Sequence, residues 1–255
     1  MQLQVTALRP SRRQHKVYPQ ACSVNGPSAR LSPMPKGNPF KSLVRSVVYA
    51  TPLFRYFAPR YLSTYVPAHL CRLIDLLDQT AGVPGSIIEI GCFKGETTIC
   101  LNKHMKDLQI EKPYYAVDTF GGFTDSDLAH EVTRRGKKLS EIYGFASNSR
   151  SWFDKTMRLN GFDKVISIQA DAAKFDYSTV APISFALVDL DLYLPMKSAL
   201  KEVFSFLSSG GILVADDCDP NTNYDGAHQA FTEFVSSYHL PLRIDLNRLG
   251  VVVKA

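Results

Sequence analysis

SIIEIGCFKGETTICLNKHM, residues 86–105, decides how the rest of the chain is read. Its first five residues are a short β-branched run closed by Gly91, the pattern of a buried strand. Glu96 to Met105 follows with the apolar spacing of a helix. A strand that passes through a glycine loop into a helix is one βα unit. Gly91 and Gly95 let the backbone come close to a ligand, and the helix amino terminus offers N–H groups to it. The spacing is GxxxG, whereas a dinucleotide fingerprint needs GxGxxG. A turn that serves packing alone is the competing reading.

The same alternation continues downstream. PYYAVD (113–118), VISIQAD (165–171), ISFALVD (183–189) and GGILVADD (210–217) read as strands. Helices are expected over Leu70 to Thr80, Asp127 to Tyr143, Ser151 to Asn160, Leu194 to Leu207 and Gly226 to Tyr238. LRIDL and GVVVKA close the chain as two β segments joined by a tight Asn-Arg-Leu-Gly turn. Five strands alternating with helices give an α/β fold. Its sheet is mostly parallel, doubly wound and covered on both faces, with a C-terminal antiparallel hairpin. Ligands of such sheets bind outside the carboxyl ends of the strands. Gly91, Asp118, Asp171, Asp189 and Asp216 all fall at those ends.

Asp118 lies about 27 residues beyond Gly91, where a carboxylate suits a ribose diol. Asp171 ends the third strand and suits an adenine amino group. Each alone is also an ordinary turn residue, but the three in order point to an adenosyl ligand without a pyrophosphate. LVDLDLY (187–193) adds Asp189 and Asp191, and GGILVADD adds Asp216 and Asp217. Asp189, Asp216 and Asp217 sit at the ends of two strands expected to be neighbours, and repel one another unless a cation lies between them. Oxygen donors with no Cys or His nearby suit Mg²⁺, with Mn²⁺ and Ca²⁺ as alternatives to it, and not zinc. Helix capping is the competing reading. Asp191, two residues past Asp189, points to the same side of an extended strand and is the candidate general base, with His130, His228 and Lys197 as rivals.

A chain of 255 residues with 45% hydrophobic content buries one large core or two small ones. No apolar run approaches the eighteen or so residues of a membrane span, so none is expected. Five cysteines without a CxxC pair argue for a reducing compartment and against a disulfide framework. The net charge of +5 is uneven: all 24 acidic residues lie from Asp75 onward, and the stretch before them is basic. The expected organisation is a basic, proline-rich flexible leader over 1–39, a helical cap over 40–84 and the catalytic domain over 85–255. A cytoplasmic location is expected, with organelle targeting by the leader as the alternative.

The stretches IIEIGCFKGETT, YYAVDTFGGF, VDLDLYLPMKSALKEVFSFLSSGG, ILVADD and GAHQAFTEF together resemble the macrocin O-methyltransferase (TylF-type) family. The resemblance covers roughly residues 65–240 and implies a Rossmann-like class I methyltransferase that methylates sugar hydroxyls from S-adenosylmethionine. It implies that Gly91 and Asp118 hold the donor; Glu89, Gly95 and Thr97 of the same loop, and Asp171, are further donor-binding candidates. It also implies that Asp189, Asp216 and Asp217 hold a divalent metal. Family members continue the DD pair with an aromatic residue, whereas this chain has Cys218-Asp219-Pro220. The expected partner is a small-molecule hydroxyl acceptor such as a glycoside. A catechol or phenol acceptor is the alternative enzyme reading. A non-catalytic adenosyl-ligand or RNA-associated protein is the reading from another class, opposed by the anionic edge, which repels a phosphate backbone. A homo-oligomer is left open.

Overall fold

Alternate side chains of a strand face opposite sides of its sheet, and here both sides are covered by helices. The computed structural model describes residues 43–44, 47–52, 63–142 and 144–255. The strands are β1 (Ser86–Ile90), β2 (Tyr114–Asp118), β3 (Val165–Gln169), β4 (Ile183–Val188), β5 (Leu207–Ala215), β6 (Ile244–Asp245) and β7 (Leu249–Val253). They form one sheet in the order β3-β2-β1-β4-β5-β7-β6. The five strands from β3 to β5 are parallel, β7 runs antiparallel to β5, and β6 antiparallel to β7. The fold is the expected doubly wound α/β sheet with its C-terminal antiparallel hairpin.

Among the described residues from 63 onward the helices are α1 (Pro67–Gln79), α2 (Glu96–Asp107), α3 (Asp125–Arg135), α4 (Leu139–Ile142), α5 (Arg150–Leu159), α6 (Tyr193–Phe206) and α7 (Asp225–Ser237). Ile88, Ile90, Ala186, Val188 and Leu213 pack on one face against Met196, Leu200 and Val203 of α6 and Phe231 of α7. Ile87, Phe185, Leu187, Ile212 and Val214 pack on the other against Leu73, Leu76 and Leu77 of α1 and Leu101 of α2. β1 and β4 are buried along their whole length, as central strands covered on both faces must be. Each fully buried Ile, Leu or Phe contributes roughly 1.5–3 kcal/mol by leaving water.

Two local expectations differ from the structure. The helix expected over Asp127 to Tyr143 is broken: α3 ends at Gly136, whose φ of 70° reverses the chain, and only the short α4 follows. The hairpin turns at Leu246 and Asn247, both with φ of 55°, two residues before the expected position. Arg248 N–H donates to the carbonyl of Asp245 across that turn.

The chain divides into two units, residues 1–61 and 62–255. In the first, residues 43–44 and 47–49 are helical, and the Thr51 hydroxyl donates to the Val48 carbonyl at 2.9 Å. The leader expected over 1–39 and the whole segment 53–62 lie outside the described residues. No described helix is long and apolar enough to cross a membrane.

Candidate active site

The parallel ladder runs one step past the strands and lines up their ends. Gly91 N–H donates to Val117 O, Asp189 N–H to Ile90 O, Asp216 N–H to Val188 O and Ala170 N–H to Asp118 O. Strand order reverses between β1 and β4, so the crevice of a doubly wound sheet opens there. A cavity of about 340 Å³ fills it, lined among others by Gly91, Thr97, Asp118, Asp171, Asp189, Asp191 and Asp217.

Gly91 has φ of 87°, and a Cβ placed on it would lie 1.7 Å from the carbonyl oxygen of Asp189. Only glycine allows β1 and β4 to approach this closely at their ends. Gly95, with φ of 86°, starts α2 without any side chain capping the helix, so its first N–H groups face the cavity with Glu96 and Thr97. Asp118 accepts the N–H groups of Phe93 at 2.8 Å and Phe120 at 2.6 Å, tying the glycine loop to the end of β2. Burial raises its pKa, and the two N–H bonds only partly oppose this. Asp171 accepts the Ala173 N–H at 3.0 Å and the Lys174 ammonium at 2.8 Å. Burial opposes its ionisation, but these two partners outweigh it and its pKa is lowered.

Glu89 was expected at the donor and does not line the cavity. It is 1% exposed, and its Oε2 accepts the Thr98 hydroxyl at 2.6 Å and the Tyr114 hydroxyl at 2.7 Å. Its Oε1 is buried with no hydrogen-bond partner, and burial raises its pKa. The alternation of β1 explains this placement, since Glu89 shares the face of Ile87 and points behind α2 instead of into the crevice.

At the other end of the crevice, one oxygen from each of Asp189, Asp191 and Asp217 lies within 4.8 Å of the others. Asp216 stands outside this trio, contrary to the expected ligand set. It is fully buried, and both of its oxygens are held by Arg248, through Nε at 2.7 Å and Nη2 at 2.6 Å. The Tyr65 hydroxyl lies 2.6 Å from the same carboxylate and 2.9 Å from Asp189. Asp216 and Asp217 follow the last residue of β5, and Asp217, with φ of 54°, has left the extended conformation, so the two neighbours are held differently, Asp216 by Arg248 and Asp217 in the trio.

Burial is the main cause of the raised pKa values of Asp189, Asp191 and Asp217. Repulsion by Asp216 comes next for Asp189 and Asp217. For Asp191 the next causes are its hydrogen bond to Asp217 and the charge of that neighbour. Asp191 and Asp217 also have φ of 55° and 54°, a left-handed conformation that carbonyl-bearing side chains such as Asp tolerate best. Three convergent hard oxygen donors have the chemistry that suits a divalent cation of the Mg²⁺ type.

Sequence reasoning missed Tyr65 and Arg248. Tyr65 belongs to no motif, and Arg248 sits in a stretch that reads only as a turn. A roof of aromatic rings was missed as well. Phe93, Phe123, Phe145 and Tyr224 stand with ring centroids 5.1–6.4 Å apart over the cavity. His130 stacks on Tyr193 and does not line the cavity, nor do His228 and Lys197; Lys197 pairs with Glu233.

Solved structures with this fold include the O-methyltransferase NovP, with a TM-score of 0.60 at 15% identity over 73% of this chain and 79% of that one. The calicheamicin methyltransferase CalS11 has a TM-score of 0.58 at 21% identity over 87% and 86%. A putative caffeoyl-CoA O-methyltransferase from Staphylococcus aureus has a TM-score of 0.51 at 11% identity over 86% and 100%. No curated protein matches the chain by sequence. The model of a methyltransferase domain family matches residues 88–218, which run from β1 through the glycine loop to the residue after the Asp216–Asp217 pair. By that match across half its length, with the crevice at the expected sheet edge, the chain belongs to this methyltransferase domain family.

Proposed function

We propose that the chain is an S-adenosylmethionine- and divalent-metal-dependent O-methyltransferase acting on a sugar or other vicinal hydroxyl of a small molecule. The observation that carries this reading is the meeting of two half-sites in one cavity, the Gly91–Asp118 floor and the Asp189–Asp191–Asp217 trio. CalS11, which has the same fold, is a TDP-rhamnose 3'-O-methyltransferase and supports a sugar acceptor.

The donor supplies a methyl group on a sulfonium, which passes in line to an acceptor oxygen. Gly91 lets β1 and β4 close together at the floor of its site, the first N–H groups of α2 would meet its carboxylate, and Asp118 would take its ribose diol. Asp171, which also lines the cavity, would take the adenine amino group. A divalent cation held by Asp189, Asp191 and Asp217 would lower the pKa of an acceptor hydroxyl and fix its direction. Asp191 offers one oxygen to the trio and keeps a second to take the hydroxyl proton.

The lining of the cavity carries more negative than positive charge. Glu96, Asp118, Asp127, Asp171 and the trio face it, against only Lys94 and Arg248 among the described residues. The same surplus opposes the RNA-associated reading. The aromatic roof favours a second acceptor class, a catechol or phenol whose flat ring stacks there.

The test is transfer of labelled methyl to panels of glycosides and catechols, with Mg²⁺ and with excess EDTA. Transfer to either panel that needs Mg²⁺ is the expected result. Full activity in EDTA removes the metal, and donor binding without transfer to any hydroxyl favours a binding protein.

A further inference from the structure

The carboxylate cluster already contains a cation. Resting on the metal reading above, we infer that Arg248 is a positioning residue. It is a tethered positive charge that holds Asp216 out of the ligand set and leaves Asp189, Asp191 and Asp217 to the divalent ion.

Three observations place the guanidinium there by construction. It engages Asp216 through two parallel bonds, the fork geometry that fixes a carboxylate's orientation as well as its charge. Its Nη2 also reaches Asp217 at 3.1 Å, so it touches one member of the trio from the side. Its Cζ stands 4.6 Å from the centre of the Tyr65 ring, whose hydroxyl lies between Asp189 and Asp216.

The backbone is arranged to keep it in place. The Arg248 carbonyl accepts the N–H of Cys218, the residue that follows the Asp216–Asp217 pair. The preceding turn puts Leu246 and Asn247 in the left-handed region, a conformation leucine adopts at a cost. Leu246 is half exposed, so no packing of its own side chain accounts for this. The turn delivers Arg248 into register with the end of β5.

The consequence is a matter of charge and donor count. With Asp216 neutralised by the guanidinium, three carboxylates remain for one divalent ion. Three protein oxygens leave coordination positions open, where an acceptor's two oxygens can enter. A fourth carboxylate would hold the ion more tightly and close one of those positions. Arg248 therefore weakens ion binding and keeps the site open.

Calorimetric titration of the full chain with Mn²⁺, without donor or acceptor, tests this. Arg248→Gln should bind Mn²⁺ at least about fivefold more tightly than wild type, because a like charge is removed and Asp216 is released. Arg248→Lys, which keeps the charge and loses the fork, should fall between them. Asp216→Asn should stay within about threefold of wild type, whereas Asp217→Asn should lose about tenfold or more. A folded Arg248→Gln that binds no more tightly overturns the inference. So does an Asp216→Asn that loses Mn²⁺ as fully as Asp217→Asn, because Asp216 is then a ligand that Arg248 gives up. The two asparagine variants decide the matter if Arg248→Gln does not fold. Wild-type protein that binds no Mn²⁺ overturns the metal reading together with this inference.

Discussion

At the ends of β1 and β2 one carboxylate, Asp118, accepts two backbone N–H groups; at the ends of β4 and β5 four carboxylates share one guanidinium and one phenol. The first region is organised by backbone geometry, and its groups are largely paired within the fold. The second keeps a surplus of buried negative charge that only protons or an added cation can offset. Changes at the donor end should therefore shift affinity in moderate steps. Changes at the carboxylate end should act on rate and metal.

The sharpest separation should come from Asp191→Asn. It should lower the methyl-transfer rate by about 10²–10⁴-fold, the scale of general-base loss, with unchanged donor affinity by calorimetry. A parallel fall in donor affinity would break the distinction between the two ends.

Gly91→Ala tests whether the ends are mechanically joined. Its Cβ would meet the Asp189 carbonyl oxygen at 1.7 Å on a backbone with φ of 87°. The variant should lose about 3 kcal/mol of stability in urea unfolding. Wild-type stability would mean that β1 and β4 part at their ends without cost.

Asp118→Ala should weaken S-adenosylmethionine by about 1–3 kcal/mol, since a site built to pair hydroxyls is left unpaired. Calorimetry measures this, and circular dichroism checks that the fold survives. Unchanged affinity would remove Asp118 from the donor site.

The smallest effect should come from Glu89→Gln, which lies behind the donor end. Burial raises the Glu89 pKa above its ordinary value of 4.5. The folded chain thus holds a proton that the unfolded chain releases, and stability is lost as pH rises from about 4.5 through the raised value. A glutamine does not titrate and still accepts from Thr98 and Tyr114. The variant's stability relative to wild type should therefore grow over that window and level off above it. A flat difference across pH would show that Glu89 titrates normally.

The order of strands and helices was legible in the chain because periodicity is local: a period of two and a period of 3.6 are written in neighbouring residues. The same holds for Gly91, Asp118, Asp171 and Asp189, whose place at strand ends follows from where each apolar run stops. The break at Gly136 was there to be read, since a glycine closing a helical pattern is a stop signal. Glu89 was misread because it borders the glycine loop in sequence, whereas strand alternation turns it to the other side.

The amino-acid sequence alone determined an α/β chain with a row of carboxylates along one sheet edge. Which carboxylates converge was decided by tertiary structure. Tyr65 reaches Asp216 from 151 positions away, and Arg248 from 32, because the sheet order sets β7 beside β5 and the crevice. No local pattern encodes that pairing. It exists because buried carboxylates must find a counter-charge, and the folded chain brings a turn arginine within reach.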